Sequence, residues 1–340
     1  MEKITAPSAL RATLILLLTW AASLLPLRAD CVKGDCSGGR GTYTWSDGSS
    51  YEGEFVNGAR HGSGTHRYAD GSTYTGEWKN NQPYGTGSFR YKNGSVYRGE
   101  WTNGKRHGSG SYVHADGREY TGDWKDDRMN GKGSMVWPNG EHYKGEWKDN
   151  RMNGKGTFTF SNGAVYTGDW KDNQMDGQGT YSWLNGSSYT GGFKAGRRSG
   201  KGALTGSNGD RYEGLWDNDR RIGEGTGNFK DGTKYAGAWR DDTMNGKGTI
   251  TYKDGTAYTG EFVNGIPEGK GKITWPDKKS YEGEFRNNQL HGFGVMKYPD
   301  GRTYTGGWQN GEMHGTGSMR YPDGKVKQGV WENGEFKGGK

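Results

Sequence analysis

Four histidines hold the same place beside a recurring Gly-x-Gly motif, and an imidazole can bind a metal ion or act as a general base. They are His61, His107, His291 and His314, each directly before the first glycine. The motif recurs in steps of 23 residues, and in a stack of β-hairpins equivalent residues of adjacent copies would lie about 10 Å apart. One metal ion cannot bridge that distance. We therefore interpret these histidines as polar contacts at the end of a turn, and we predict no metal site.

Cys31 and Cys36 are the only cysteines of the chain. Two thiolates do not complete a zinc site. A bacterial lipidation signal would need an aliphatic residue three places before Cys31 and a small residue directly before it, but Arg28 and Asp30 stand there. In an exported chain, two cysteines separated by four residues predict a disulfide that closes a small loop.

Acidic residues are numerous, but they form rows rather than catalytic pairs. Alternation of acids with lysines along a strand is typical of a solvated face. The Gly-x-Gly motif continues as a strand and does not open a helix, unlike a dinucleotide-binding loop. No dyad, Ser-His-Asp or Cys-His signature stands out, so the sequence predicts neither an enzyme nor a cofactor. One row consists of Glu54, Glu77, Glu100, Glu146, Glu261 and Glu284.

The overall composition narrows the class of protein further. The formal charge is +7, but the chain has no dense Lys/Arg run and no nucleic-acid motif, so we predict no nucleic-acid partner. Glycine supplies 65 of 340 residues and the apolar fraction is only 29%. This composition does not suit a thick aliphatic core. We expect aromatic rings to be buried against glycine backbone in a thin structure.

All these motifs belong to one 23-residue sequence repeat, which occurs twelve times in tandem from Tyr51 to Val326 without insertion or deletion. A fixed period in this range predicts stacked supersecondary units and leaves almost no sequence for a catalytic domain. The copies open at Tyr51, Tyr74, Tyr97, Tyr120, Tyr143, Tyr166, Tyr189, Tyr212, Tyr235, Tyr258, Tyr281 and Tyr304.

The sixth copy shows the period-two alternation of two β-strands. Its first strand alternates Tyr166 and Trp170 with polar residues, and its second strand runs from Gly177 to Trp183. The segment Asp172 to Met175 is predicted as the polar turn between them. We expect Gly177 and its neighbour two residues on, Gly179, to lie under rings of the paired strand.

Two turns alternate along the chain. The first turn contains Asn-Gly in some copies, as at Asn57-Gly58, which favours a tight hairpin. The second turn reads Pro138-Asn139-Gly140 and predicts a three-residue loop with a left-handed glycine. This loop length would place Met135 opposite Tyr143 and keep the aromatic residues of both strands on one face.

The predicted fold class is all-β, an elongated, curved single-layer antiparallel meander of β-hairpins. The predicted divisions are residues 1–29 as a signal peptide, 30–50 as an N-terminal cap with the cysteine pair and a partial repeat, 51–326 as the twelve repeats, and 327–340 as a C-terminal half repeat or cap. The apolar stretch Ala12 to Leu27 and the Leu27-Arg28-Ala29 end predict cleavage after Ala29 and export to a periplasmic or extracellular location. The alternative is a membrane anchor formed by residues 12–27.

The 23-residue repeat resembles the MORN (membrane occupation and recognition nexus) repeat. The resemblance is seen in YTGEWKNNQPYGTG at Tyr74, YRGEWTNGKRHGSG at Tyr97 and YEGEFRNNQLHGFG at Tyr281. The resemblance covers about four fifths of the chain and implies a curved sheet of hairpins without catalytic activity. Members of the family are associated with membrane junctions and cytoskeletal scaffolds, and lipid binding and dimerisation are both attributed to the repeats.

Two functional hypotheses follow. The first is an exported, non-catalytic MORN-repeat scaffold or binding protein with protein partners, with membrane association and a homodimer left open. The second is a lipid- or carbohydrate-recognition module that uses the aromatic face of the sheet. Buried rings would favour the first and exposed rings the second. The candidate ligand-facing rings are Tyr97, Trp101, Tyr120, Trp124, Tyr143, Trp147, Tyr166 and Trp170.

Overall fold

The computed structural model describes residues 30–339, and these fall into two compact units, 30–181 and 182–339. The predictions for the leader, residues 1–29, lie outside the described residues. Every regular element between residues 30 and 339 is a β-strand.

The first unit is an antiparallel meander. Each strand from β1 to β12 pairs antiparallel with the strand that follows it. The strands are β1 (Asp30–Gly34), β2 (Arg40–Thr44), β3 (Ser50–Val56), β4 (Ala59–Arg67), β5 (Thr73–Lys79), β6 (Gln82–Arg90), β7 (Val96–Thr102), β8 (Lys105–Val113), β9 (Glu119–Lys125), β10 (Arg128–Val136), β11 (His142–Lys148), β12 (Arg151–Thr159), β13 (Val165–Lys171) and β14 (Gln174–Ser182).

The second unit repeats the same organisation. Each strand from β15 to β27 pairs antiparallel with the next, so the prediction of an all-β antiparallel meander is confirmed. The strands are β15 (Ser188–Lys194), β16 (Arg197–Thr205), β17 (Arg211–Asp217), β18 (Arg220–Asn228), β19 (Lys234–Arg240), β20 (Thr243–Thr251), β21 (Ala257–Val263), β22 (Ile266–Thr274), β23 (Ser280–Arg286), β24 (Gln289–Lys297), β25 (Thr303–Gln309), β26 (Glu312–Arg320), β27 (Val326–Glu332) and β28 (Glu335–Gly338).

The first turn of each copy is a two-residue hairpin. Asn57 and Gly58 have φ values of 51° and 72°, and Asp172 and Asn173 have 46° and 68°. Positive φ at both central residues is the type I′ conformation that suits the twist of paired strands. The predicted turn from Asp172 to Met175 was too long, because Met175 already belongs to β14 and is 0% exposed.

The second turn is the predicted three-residue loop. The Trp137 amide donates to the carbonyl of Glu141 at 2.9 Å, and Gly140 has a φ of 85°. Met135 lies opposite Tyr143, as the loop length requires. The predicted register across this turn is therefore confirmed.

A bulge separates the two halves of each hairpin, and the sequence pattern did not predict it. In the fifth copy, Gly145 pairs with Gly156 but Trp147 pairs with Met152, so residues 153–155 face a single residue, Glu146. Gly154 has a φ of 72° within this bulge. Two additional residues preserve the parity of the strand, so Trp147, Met152 and Gly156 stay on one face.

The two glycines of Gly-x-Gly have different roles. A Cβ added to Gly179 would lie 2.5 Å from ring carbons of Tyr166, which confirms the predicted packing of the second glycine under a ring. The prediction was wrong for Gly177, where a Cβ would meet the Asp169 side chain at 2.7 Å and the φ is 113°. The first glycine is needed for the left-handed backbone of the bulge, where other residues are strained.

The core is a ladder of edge-to-face aromatic rings. Tyr143 packs on Trp147 of its own copy at 5.2 Å and on Trp170 of the next copy at 5.4 Å, with interplanar angles of 87° and 80°. The Tyr143 hydroxyl donates to the Glu146 carbonyl at 2.9 Å, and the Trp170 indole donates to the Gly156 carbonyl at 3.2 Å. Tyr143 thus joins two copies, and the polar ring atoms of Tyr143 and Trp170 are both satisfied.

Candidate binding surface

The eight rings proposed to face a ligand are buried in this ladder. The tyrosines are 0% exposed and the tryptophans are 2–6% exposed. Because neighbouring rings and glycine backbone cover both faces of each ring, no face remains for a ligand. We therefore reassign these residues to the core: Tyr97, Trp101, Tyr120, Trp124, Tyr143, Trp147, Tyr166 and Trp170.

A second set of rings stands at the residue directly before the three-residue turn. In the first unit these rings are packed together: Phe89 lies 4.4 Å from Tyr91, and Phe158 lies 4.7 Å from Phe160. The partner two residues upstream is aromatic in these copies. Phe160 is consequently only 5% exposed.

From Phe229 onwards, the rings of this set have no aromatic residue two places upstream. The residue two places upstream is glycine or aliphatic, namely Gly227, Ile250, Ile273, Met296 or Met319. Within residues 182–339 these rings make no ring–ring contact. We call the set the second-turn aromatic row; it consists of Phe229, Tyr252, Trp275, Tyr298 and Tyr321.

The rings of the second-turn aromatic row are half-buried, and Tyr252 is 37% exposed. Partial burial raises the pKa of Tyr252 and of Tyr298, so both phenols stay neutral hydrogen-bond donors at physiological pH. The row combines accessible ring surface with polar hydroxyls. Sequence reasoning missed it because the strongest aromatic periodicity belonged to the buried core. The signal was an aromatic residue directly before each three-residue turn from Phe229 to Tyr321.

Charged side chains of both signs flank the row. The Asp231 carboxylate accepts the Thr233 amide at 2.8 Å, and this hydrogen bond lowers the pKa of Asp231. The corresponding acids Asp254, Asp277, Asp300 and Asp323 accept equivalent amides at 2.8–3.0 Å. The Lys279 ammonium lies 4.4 Å from the Trp275 ring, and the Arg302 guanidinium lies 4.9 Å from the Tyr298 ring. The edge therefore offers ring faces, carboxylates and cations together.

The opposite, polar face is built differently. In the first unit, one carboxylate per copy accepts the backbone amide of the bulge at 2.8–3.3 Å, so the acid row stabilises the hairpin as well as facing solvent. In the second unit, an open groove of about 920 Å³ lies on this face. Its charged lining alternates in sign, with Glu224, Lys247, Glu261 and Lys270. Neither sign of charge dominates the lining of this groove.

The histidines and cysteines considered in the sequence do not come together as a catalytic or metal site in the described part of the chain. The Nδ1 atoms of His61, His107 and His314 are buried without a hydrogen-bond partner. In the part of the chain that the structure describes, no three His, Cys, Asp or Glu side chains converge as a metal site. Cys31, which belongs to β1, is joined to Cys36 by a disulfide. Residues 30–339 contain no helix long and apolar enough to cross a membrane.

A sequence profile of the MORN repeat matches twelve segments of the chain. They are residues 38–50, 51–73, 74–96, 97–117, 120–142, 143–165, 166–188, 189–211, 235–257, 258–280, 281–301 and 304–326. The chain belongs to the MORN repeat family. The eighth copy, from Tyr212 to Lys234, lies outside the matched segments, although β17 and β18 give it the same MORN hairpin. Its departures include Leu215 and Gly227, where most copies have an acidic residue and a large apolar residue, respectively.

Among solved structures, the MORN chain is weakly similar to domains of CPAP and of SAS-4 (dCPAP). The G-box domain of the microcephaly protein CPAP is 16% identical with a TM-score of 0.34, and the match covers 59% of this chain and 100% of that one. The TCP domain of SAS-4 (dCPAP) from Drosophila melanogaster, in complex with a proline-rich motif of Ana2, is 13% identical with a TM-score of 0.30, covering 51% and 86%. These scores carry no argument about function. No curated protein matches the MORN chain.

Proposed function

We propose that this protein is a non-catalytic, exported MORN-repeat scaffold that holds another protein. The observation that carries the proposal is the burial of the Tyr/Trp ladder. These rings pack between adjacent copies and are not available to a ligand. This packing is expected of a protein whose role is to present a regular surface. The predicted leader and the Cys31–Cys36 disulfide support an oxidising location outside the cytoplasm.

A photo-crosslinking amino acid placed in the full-length chain tests this function in the native cell. Leu184 is 79% exposed and Phe293 is 60% exposed, so a crosslinker at either position projects from the surface. We expect a discrete protein adduct in the envelope fraction from such an exposed position. A crosslinker at Met175, which is 0% exposed, is the matched control and should give none.

The scaffold proposal fails if exposed positions distributed over both units give no discrete adduct. Recovery of the chain from the cytosol with its leader intact would instead remove the exported part of the proposal. The two results can be read separately, because adduct formation and cell fractionation are independent measurements.

A second candidate function is ligand recognition by aromatic side chains. The eight rings named from the sequence do not support it, but the second-turn aromatic row does, because its rings are partly accessible and lack aromatic partners. A lipid and a carbohydrate would both present apolar surface to such rings.

A further inference from the structure

We propose that the groove on the polar face of the second unit is a carboxylate-binding site, which receives one acidic side chain of an extended protein segment. The inference rests on the scaffold function proposed above, and it names where and by which chemistry a protein partner is held. Its central group is the backbone amide of Lys247, in the bulge of the ninth copy.

In each of the first six copies, the bulge amide is bonded to a carboxylate of the same copy. The Lys132 amide donates to the Asp123 carboxylate at 2.8 Å, and the Thr86 amide donates to the Glu77 carboxylate at 2.8 Å. Such a charge-assisted hydrogen bond is stronger than one between neutral groups. The carboxylate also covers the bulge glycine, since a Cβ added to Gly131 would lie 2.6 Å from Asp123 Oδ2. The bulge is thus shaped to receive a carboxylate.

The ninth copy keeps this bulge but lacks the acid. Residues 245–247 face a single residue, Ala238, which stands where the first six copies have Asp or Glu. Among the described residues, a Cβ added to Gly246 would meet only the Ala238 side chain, at 3.2 Å. Because alanine carries no acceptor atom on its side chain, the Lys247 amide lacks the carboxylate partner of its equivalent Lys132.

The open groove lies over this bulge. Its lining includes Lys247, and Ala236 on the strand that carries Ala238. In the eighth copy, by contrast, an apolar side chain covers the bulge, since a Cβ added to Gly223 would lie 3.1 Å from Leu215 Cδ1. We therefore place the site at the ninth copy, where the acid is missing and the groove is open.

The hydrogen-bond donor, rather than net charge, selects the ligand. Lys247 and Lys270 contribute ammonium groups to the lining, and Glu224 and Glu261 contribute carboxylates. A polyanion would be repelled by these two acids, and a cation cannot accept a hydrogen bond from the amide. A single carboxylate can accept from the Lys247 amide while the lysines balance its charge. The two acids then remain available to basic residues beside it.

The length of the groove favours a protein segment over a small acid. Its lining crosses five adjacent strands, β18 to β22, which span roughly 19 Å at about 4.8 Å per strand. An extended chain advances about 3.3 Å per residue, so about six residues would fill this length. A small free carboxylate would occupy only the bulge.

Titration of the full chain with acetate, followed by NMR of selectively ¹⁵N-labelled lysine amides, tests the carboxylate site. Lys247→Arg and Lys132→Arg identify the two resonances to be compared. We expect a saturable shift of the Lys247 amide, whereas the Lys132 amide, already bonded to Asp123, should not respond. Sodium chloride at the same ionic strength should shift neither. A Lys247 amide that does not respond to acetate overturns the proposal.

Reciprocal variants test whether the missing acid creates the site. Ala238→Glu supplies the carboxylate from within and should abolish the acetate response of Lys247. Ala236→Glu is the matched control, because it adds the same charge two residues away on the same face and should keep most of the response. Asp123→Ala should make the Lys132 amide responsive. Equal loss in both glutamate variants would indicate simple charge repulsion and overturn the proposal; circular dichroism checks that all variants are folded.

A capped heptapeptide with a central glutamate, an arginine on either side of it and serines elsewhere tests the nature of the ligand. It should bind at the Lys247 amide at least about tenfold more tightly than acetate, and glutamine in place of its glutamate should weaken binding about tenfold. Acetate binding without tighter peptide binding would assign the site to a small free acid and overturn the protein segment.

The groove site and the scaffold function can fail separately. The crosslinking positions Leu184 and Phe293 lie outside the groove lining. Adducts from those positions together with an unresponsive Lys247 amide would retain the scaffold and remove the groove site. Absence of adducts together with an intact peptide response would remove the scaffold function and retain the site.

Discussion

His66 is an imidazole that the fold keeps uncharged. It is 5% exposed, packs on Trp45 and Tyr68, and its Nδ1 atom lies 3.0 Å from the Arg60 guanidinium. Burial, followed by the charge of Arg60, lowers the pKa of His66 to about 4. His66 therefore binds a proton only near pH 4 in the folded protein, whereas in the unfolded chain it does so at about pH 6.5.

This difference predicts a loss of stability in acid. The stabilisation from neutral His66 should be complete above about pH 6.5 and should fall as the pH drops towards 4, by on the order of 1–3 kcal/mol. Phenylalanine occupies the equivalent position in other copies, as at Phe89 and Phe158. His66→Phe should therefore flatten the dependence of the unfolding midpoint on pH between 6.5 and 4, as measured by urea denaturation. Parallel pH curves for the two proteins would contradict the assignment.

Gly179 is the residue at which the packing of ring on glycine can be tested. Gly179→Val would place a branched side chain where the Tyr166 ring lies and should destabilise its hairpin by about 1–3 kcal/mol. Gln178 is exposed, so Gln178→Val is the control and should cost little. Hydrogen exchange should show loss of protection around β13 and β14 in the first variant only. Equal loss in both variants would mean that the facing of this strand is assigned wrongly.

At the scale of the hairpin, four arginines reinforce the contact between adjacent copies. Arg106 stacks on Trp124 at 4.4 Å and donates to the carbonyl and carboxylate of Asp127 at 2.9 and 3.0 Å. Its aliphatic stem occupies a position that holds methionine in other copies, as at Met129. The same stacking on the tryptophan of the next copy occurs at Arg60, Arg198 and Arg221, at 4.3–4.4 Å.

Arg106→Met is a conservative variant, because methionine occupies the equivalent position in other copies, as at Met129. The Met129 amide donates to Asn150 Oδ1 as the Arg106 amide does to Asp127, so Arg106→Met should keep the packing and the turn contact. It should cost under about 1.5 kcal/mol. Arg106→Ala leaves a cavity beside Trp124 and should cost about 2 kcal/mol or more. Chemical denaturation would measure both, and similar costs for the two variants would show that the charge, not the stem, matters.

The first strand depends on the disulfide more than on packing. Residues of β1 are exposed, and β2 is its one paired neighbour among the described strands. Closing the loop between Cys31 and Cys36 should stabilise this end by roughly 2 kcal/mol. Reduction should increase hydrogen exchange in β1 and leave β5 unchanged. Mass spectrometry that found two free thiols in exported protein would contradict the pairing.

The sequence predicted the strands, the three-residue turn and its register, because Pro-Asn-Gly and the aromatic alternation specify them locally. It did not predict the bulge at Gly154 or the end of the first turn at Asn173, since a Gly-x-Gly run looks like uninterrupted alternation. It also placed the accessible rings wrongly. Whether a ring such as Tyr252 or Tyr91 is covered depends on the residue two places upstream and on the next copy, and alternation within one strand does not contain that information.

At the scale of the whole molecule, the remaining prediction concerns export. If residues 12–27 form the apolar core of a cleaved leader, protein recovered outside the cytoplasm should begin near Asp30. N-terminal sequencing would determine this. An intact Met1 in a membrane fraction would indicate the anchor instead, and retention in the cytosol would exclude both interpretations.

The meander also fixes how the protein responds to mechanical force. Within each unit, a strand is hydrogen-bonded only to the strands before and after it in the chain, so tension applied at a terminus opens the outermost hairpin without disturbing the others. The ladder bonds then break one after another, as in a zipper, rather than all at once in shear. Each 23-residue copy releases on the order of 80 Å of slack when fully extended. An array of this kind should therefore lengthen in discrete steps under load.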